Sequence, residues 1–252
     1  MIGQNKDLSS IPLRTDIHIH SSFSDGLNTP EELVLEAIRL GYQEIAITDH
    51  VRRSTHWLDG FHREMERLKK LYADRIDLYS GIEAKVINLQ GDIDAHPNFC
   101  KMVDIVLGAF HRLPIGGDKY WSSEDIMRDQ QTALQYWVTS ITNLMNNQAI
   151  TVLAHPTAIL KRNKIYLQPH LKEAIANHAS TNGKVFELNV KYGVPDNEFI
   201  SILKNHNVQL IPGSDSHSMK EMEETKEFLE HQSHLHHSHV ITLADLTYDG
   251  KS

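Results

Sequence analysis

The chain has 252 residues, of which 40% are hydrophobic and 23% charged, close to the usage of ordinary globular proteins. Its 25 Lys and Arg against 33 Asp and Glu give a net charge of −8, which disfavours a protein that tracks long nucleic acids. We expect no membrane partner, because no apolar run reaches the roughly 20 residues of a spanning helix. A single Cys100 and no secretory signal pattern favour a cytoplasmic location.

Short β-rich segments alternate with helical segments along the chain. The first helix is the clearest, because Thr29 can cap it, Pro30 suits its first turn and Gly41 ends it. Further helices are predicted at about 58–74, 123–147, 168–181, 195–206 and 218–232. Strands are predicted at about 14–19, 44–48, 77–82, 103–109, 150–154, 184–189 and 208–213.

These segments form about seven β-α units, which implies parallel strands in either an open doubly wound sheet or a barrel. No Gly-x-Gly-x-x-Gly motif or phosphate loop follows the first strand, and this weakens the nucleotide-binding open sheets. No composition break marks a domain boundary. We therefore predict a single domain over 1–252, with a core at about 14–218 and a C-terminal helix and tail at 219–252.

Polar residues gather where the predicted strands end. In the stretch RTDIHIHSSFSDG, residues 14–26, Asp16, His18 and His20 share one face of a strand. Six of the seven predicted strands bring His, Asp or Glu to the rim where parallel α/β folds place their active sites. So many imidazoles and carboxylates would repel and desolvate one another unless cations compensated them. Mixed imidazole and carboxylate donors predict a cluster of divalent ions such as zinc, manganese or iron.

The motifs at these strand ends closely resemble those of the PHP family (polymerase and histidinol phosphatase). They are Asp-Ile-His-Ile-His, Ser-Asp-Gly, Ile-Thr-Asp-His, Gly-Ile-Glu, the strand-end His111, Ala-His-Pro and Gly-Ser-Asp-Ser-His, in this order over about 14–218. The resemblance implies an α/β fold with a distorted (β/α)7 barrel, phosphoester hydrolysis and two to three divalent metal ions (Zn, Mn or Fe). The metal ligands that it implies are His18, His20, Asp25, His50, Glu83, His111, His155, Asp215 and His217.

Within this implied set, Glu83 and Asp215 would each bind more than one ion, and Asp25 stands where some family members have histidine. Asp16 and Asp49 match no ligand position. They are predicted either to orient imidazoles or to be structural acids at the edge of the core.

Cationic side chains near the predicted rim are candidates for binding the phosphate of a substrate. The alternative for each is a solvated surface cation. Arg112 is the first candidate because it follows His111, and the pair Lys161 and Arg162 comes next. The remaining candidates are Arg52, Arg53 and Lys191.

A metal-activated hydroxide would attack the phosphorus, so no catalytic side chain is predicted beyond the metal ligands. The favoured function is a phosphatase acting on a small phosphomonoester, with histidinol phosphate as one candidate. The alternative is a free-standing 3'-5' exonuclease on single-stranded nucleic acid. A non-catalytic metal-binding module is less favoured, because all nine ligand positions are filled. The His-rich segment 231–239 could bind adventitious metal or end a helix; its spacing matches no closed four-ligand site, and this favours the structural role.

Overall fold

The computed structural model describes residues 14–117, 119–231 and 240–248. The predicted His-rich segment 231–239 lies outside these residues, apart from the backbone of His231. The strands are β1 (Thr15–Ile19), β2 (Glu44–Val51), β3 (Asp77–Lys85), β4 (Ile105–Ala109), β5 (Pro114–Gly116), β6 (Lys119–Tyr120), β7 (Val152–Ala154), β8 (Val185–Asn189) and β9 (Leu210–Gly213). The helices are α1 (Pro30–Arg39), α2 (Leu58–Leu71), α3 (Ser123–Arg128), α4 (Gln130–Asn146), α5 (Ala158–Arg162), α6 (Pro169–Thr181), α7 (Asn197–Asn205), α8 (Met219–His231) and α9 (Leu243–Tyr248).

Seven strands form one parallel sheet in the order β1-β2-β3-β4-β7-β8-β9, and all seven were predicted. The two edges of the sheet approach each other. The amide of His20 donates to the carbonyl of Ser216 at 2.9 Å, and the amide of Ser216 donates to the carbonyl of His18 at 3.3 Å. The sheet is therefore nearly closed into a barrel with helices around it, as predicted, and the open-sheet alternative is wrong.

The helices follow the local signals in most places. Helix α1 has the predicted cap, since Thr29 and Glu32 form a capping box ahead of Pro30. The long helix predicted at 123–147 is instead two helices, α3 and α4, that meet at Asp129. The Asp129 carboxylate accepts a hydrogen bond from the amide of Thr132 at 3.0 Å and caps α4. None of the described helices has the length and apolarity required to span a membrane.

Two apolar clusters hold the barrel together. The larger lies between the strands and the helices and includes the buried side chains of Phe61 and Trp137. The smaller fills the barrel interior and consists of Ile17, Ala46, Ile105, Leu107, Ala109, Val152, Ala154, Val185, Ile211 and Leu243. Leu243 belongs to α9, so this last helix closes the end of the barrel where the strands begin. Polar residues gather at the opposite end of the barrel, where the strands finish.

Candidate metal centre

The predicted ligand residues converge at the carboxyl ends of the barrel strands. Their donor atoms form four overlapping groups, and the atoms of each group lie within 4.8 Å of one another. The groups are His18/Glu83/His155, His18/His20/Asp215, His50/Glu83/His111 and His20/Asp25/His50/His217. All nine predicted residues are present in these groups, although they come from positions as far apart in the chain as 18 and 217.

Glu83 lies at the centre of the arrangement, and its side chain is fully buried. Strand register places it directly beside His50 on the neighbouring strand. Its Oε1 atom is 2.9 Å from Nε2 of both His111 and His155, and its Oε2 atom is 2.7 Å from Nδ1 of His50. Burial favours the neutral acid, but His111 and His18 outweigh it and hold the pKa of Glu83 well below its usual range. The carboxylate is therefore ionised and surrounded by imidazoles.

A second carboxylate, Asp215, closes the other side of the centre. Its Oδ1 atom is 3.1 Å from Nε2 of His20 and 3.8 Å from Nε2 of His18. Burial raises the pKa of Asp215, but the charge of His18 and the hydrogen bond to His20 lower it by more. The pKa of Asp215 is therefore below its usual value. The backbone φ of Asp215 is +56° and that of His155 is +28°. Non-glycine residues rarely adopt positive φ, and such strain clusters at functional sites.

The donor set fits a divalent cation. The buried Nε2 atom of His18 has no hydrogen-bond partner among the described residues, and it faces Glu83 and Asp215 at 3.5 and 3.8 Å. Burial lowers the pKa of His20 to about 4, which leaves its imidazole neutral and able to donate a lone pair. Buried imidazole nitrogens between two carboxylates suit an ion that prefers imidazole and carboxylate ligands.

Asp16 and Asp49, predicted either to orient imidazoles or to be structural acids, accept hydrogen bonds from backbone amides and hydroxyl groups. Asp16 accepts hydrogen bonds from the amides of His18 (3.1 Å) and Ser214 (2.9 Å), which joins the first and last strands. Asp49 accepts from the amide of Ser21 at 2.8 Å and from its hydroxyl at 2.6 Å. Burial raises the pKa of each carboxyl to about 6. Both acids thus tie together the loops that carry the ligand residues.

An acid outside the predicted ligand set, Glu187, contacts a ligand imidazole, and the sequence reasoning missed it. Its Oε1 atom is 2.8 Å from Nδ1 of His18, and both side chains are fully buried. The missed signal was a lone acid in the middle of the apolar stretch KVFELN, in a strand that is otherwise packed inside the fold.

The predicted phosphate-binding cations differ in how closely they approach the centre. Lys191 comes nearest, because its Nζ atom is 3.4 Å from Nδ1 of His217 and 3.8 Å from Oδ2 of Asp215. Arg162 donates to the carbonyl of His111 at 2.9 Å. Lys161 donates to the carbonyls of Tyr192 and Gly193, at 2.6 and 3.0 Å.

The other predicted cations lie further out. The guanidinium of Arg112 stacks on the ring of Tyr120 at 4.9 Å, and Lys85 approaches the same ring at 4.9 Å. Arg52 and Arg53 are exposed. The backbone amide of Arg52 bonds within the loop that follows β2, and the backbone amide of Arg53 donates to Asp94. The phosphate-binding role of all these cations stays a prediction.

A second residue missed from the sequence is Tyr192. Its ring packs edge-on against His155, with ring centres 5.2 Å apart. Burial, the charge of Asp215 and a hydrogen bond to Asp215 raise the pKa of the Tyr192 hydroxyl to about 12, so it is a proton donor at neutral pH. The Tyr192 hydroxyl therefore lies beside a carboxylate of the candidate centre.

Known proteins resemble this chain in sequence and in fold. A "Probable phosphatase" of Acetivibrio thermocellus is 29% identical over 212 residues, which are 80% of this chain and 78% of that protein. The crystal structure of hisK from Listeria monocytogenes has a TM-score of 0.67 and 16% identity and covers 82% of this chain and 97% of its own.

A histidinol phosphate phosphatase from Lactococcus lactis, solved with zinc, L-histidinol and phosphate, has a TM-score of 0.59 and 17% identity. The match covers 89% of this chain and 95% of that one. At these identities the two solved structures establish the fold alone. The family model described as "PHP domain" matches residues 16–191. The predicted family is therefore confirmed, and this chain belongs to the PHP family.

Proposed function

We propose that the protein is a metal-dependent phosphatase that hydrolyses a small phosphomonoester. The observation that carries the proposal is the convergence of nine His, Asp and Glu side chains around the buried Glu83. A chain that kept the barrel only for partner contact would have no need to hold so many titratable groups together in its interior. The names of its relatives support the same enzyme class, a phosphoric ester hydrolase.

The overlapping groups indicate which residues would hold the two to three ions. Glu83 would be shared between the group with His18 and His155 and the group with His50 and His111. Asp215 would bind with His18 and His20, and the more exposed Asp25 and His217 would complete the outer position. Ions held here would activate a water molecule and neutralise charge on the phosphate oxygens. Zinc, manganese and iron all suit these donors.

Residues around the centre would bind and orient the substrate. The Lys191 ammonium lies near enough to offset the charge of a phosphate placed over Asp215 and His217. The Tyr192 hydroxyl would donate a hydrogen bond to the same phosphate. Arg162 and Arg112 lie around His111, where they would attract an anion toward the opening.

Histidinol phosphate is the first candidate substrate, because a structural relative was solved with histidinol and phosphate. The 3'-5' exonuclease stays the alternative, although the net charge of −8 disfavours a long polyanion. The single-domain organisation, the cytoplasmic location and the absence of a stable nucleic-acid partner also stay predictions.

The test is phosphate release by protein loaded with zinc or manganese. The panel would contain histidinol phosphate, nucleoside monophosphates, an aryl phosphate and a single-stranded oligonucleotide, with Asp215→Ala as the inactive variant. We expect turnover of at least one small phosphomonoester that Asp215→Ala loses. Digestion of the oligonucleotide alone would favour the exonuclease. A metal-loaded protein that hydrolyses none of these would refute the proposal.

A further inference from the structure

The fully buried Glu187 lies beneath the candidate metal centre, and both of its carboxylate oxygens are hydrogen-bonded. Its Oε1 atom is 2.8 Å from Nδ1 of His18 and accepts a hydrogen bond from Nδ2 of Asn189 at 3.1 Å. Its Oε2 atom accepts a short hydrogen bond from the backbone amide of His155. This carboxylate therefore binds the ring of one candidate ligand and the backbone of another.

The neighbouring strand is shaped to receive this side chain. A Cβ atom added at Gly213 would overlap with Oε1 of Glu187, and its next nearest neighbours would be Cδ and Cγ of the same side chain. Glycine is thus needed at this position of β9 because the Glu187 carboxylate occupies the space.

The position of the Glu187 carboxylate determines which way two imidazoles face. Because Nδ1 of His18 is bonded to Glu187, Nε2 is the atom that points at Glu83 and Asp215. At His155, the bond to Glu187 secures a backbone with φ of +28°, and Nε2 of that ring then lies 2.9 Å from Oε1 of Glu83. Both imidazole donor atoms of the group His18/Glu83/His155 depend on one carboxylate that is not itself in the group.

We propose that Glu187 is a positioning residue that sets the metal affinity of the group His18/Glu83/His155. The inference rests on the proposed function, since it assumes that this group holds an ion. Glu187 accepts a hydrogen bond from Nδ1–H of His18, which leaves Nε2 free to bind metal. It also holds the backbone of His155 so that the second imidazole meets the same ion. A carboxylate behind a metal-binding histidine commonly plays this part, and its loss weakens metal binding about 10–100-fold.

Glu187→Gln tests the proposal with almost no change of shape. An amide offers one acceptor oxygen and one NH₂ donor. If the NH₂ group faces the amide of His155, two donors oppose each other. If it faces Nδ1 of His18, that atom must become an acceptor, and the ring proton moves to Nε2, where it blocks metal. Either orientation therefore weakens the site.

Glu44→Gln is the matched control. Glu44 is also a buried carboxylate at 6% exposure, but it lies at the other end of the barrel, where it bonds to Thr15 and to the amide of Ala244. Zinc affinity would be measured by competition with a chelator for the wild type and both variants. The zinc-loaded proteins would also be examined by NMR for the imidazole Nδ1–H proton of His18.

We expect Glu187→Gln to bind one zinc ion about 10–100-fold more weakly and to shift or lose the His18 Nδ1–H signal, while Glu44→Gln keeps the wild-type affinity and signal. Wild-type affinity for every ion in Glu187→Gln would overturn the positioning role and leave the proposed function standing. A wild-type protein that binds no divalent ion would overturn both.

Gly213→Ala provides a second route, which decides the question if Glu187→Gln does not fold. The added methyl group displaces the carboxylate while Glu187 itself stays in the chain. The same weakening of one zinc ion is expected. Unchanged zinc affinity in a folded Gly213→Ala protein would contradict the proposal.

Discussion

Each end of the barrel contains a buried carboxylate, and the two carboxylates have very different partners. At the end where the strands begin, Glu44 bonds to the hydroxyl of Thr15 and the amide of Ala244, which are neutral donors. Beside it, Leu243 fills the apolar interior of the barrel. At the end where the strands finish, Glu83 lies within 3.6 Å of the rings of five histidines.

The different partners of Glu44 and Glu83 distinguish an end of the barrel that stabilises the fold from an end suited to chemistry. Hydrogen bonds from the Thr15 hydroxyl and the Ala244 amide satisfy both carboxylate oxygens of Glu44 within the described part of the protein. The opposite end gathers imidazoles and carboxylates whose buried lone pairs, such as Nε2 of His18, lack a hydrogen-bond partner among the described residues. Such groups are costly to bury unless a ligand completes them. A ligand bound there would offset this cost, and parallel barrels place their active sites at this end.

The largest expected effect comes from Glu83→Ala, which removes the carboxylate shared by two of the candidate metal groups. We expect the loss of at least one bound ion and a fall in kcat/KM of at least about 10³-fold, the upper end for removal of a single electrostatic group. Metal content by elemental analysis and phosphate release would be measured together. Full metal content and full turnover in Glu83→Ala would contradict the placement of the metal centre at the end of the barrel that contains Glu83.

A gathering of polar residues at one rim could be predicted from the sequence because they lie at or near the ends of short β-rich segments, and the resemblance to the PHP family then implied which nine are ligands. Parallel strands bring their ends together whatever the distance along the chain, so His18 and His217 could be placed at one rim. Glu187 and Tyr192 could not. Glu187 lies inside a strand, and the position of Tyr192 depends on a loop whose backbone bends at Gly193 and is bonded to Lys161.

The substitution with the next largest effect is Leu243→Ala at the closed end. Leu243 is fully buried in the barrel interior, and truncating such a side chain costs about 2–5 kcal/mol in the free energy of unfolding. Zinc affinity should not change, because the cavity forms at the end away from the metal centre. Denaturant unfolding and chelator competition would measure the two quantities.

Leu27→Ala is the control for this truncation, since Leu27 is 81% exposed and lies beside His217 at the open end. Its unfolding free energy should change by less than about 0.5 kcal/mol. Weaker zinc binding in Leu243→Ala would mean that the two ends are coupled.

The closed end illustrates what sequence patterns leave out. The interior residue Ala46 lies in a strand that could be predicted, but the cap supplied by Leu243 comes from a six-residue helix near the end of the chain. So short a helix has too few residues for a periodic pattern, and its tertiary contacts determine its place. The split of the predicted 123–147 helix has a local cause, because Asp129 can cap a new helix.

The smallest expected effect sharpens the open end itself. Tyr192→Phe removes only the hydroxyl and keeps the ring packed on His155. Because the pKa of this hydroxyl is raised to about 12, the group is a donor at neutral pH, and its loss should cost one hydrogen bond to the substrate. We expect kcat/KM to fall about 10-fold, as a hydrogen bond of about 1.4 kcal/mol implies, with zinc affinity unchanged. Tyr166→Phe is the control, since Tyr166 is 64% exposed. If Tyr192→Phe weakens zinc and leaves kcat/KM per bound ion unchanged, the hydroxyl supports Asp215 rather than the substrate.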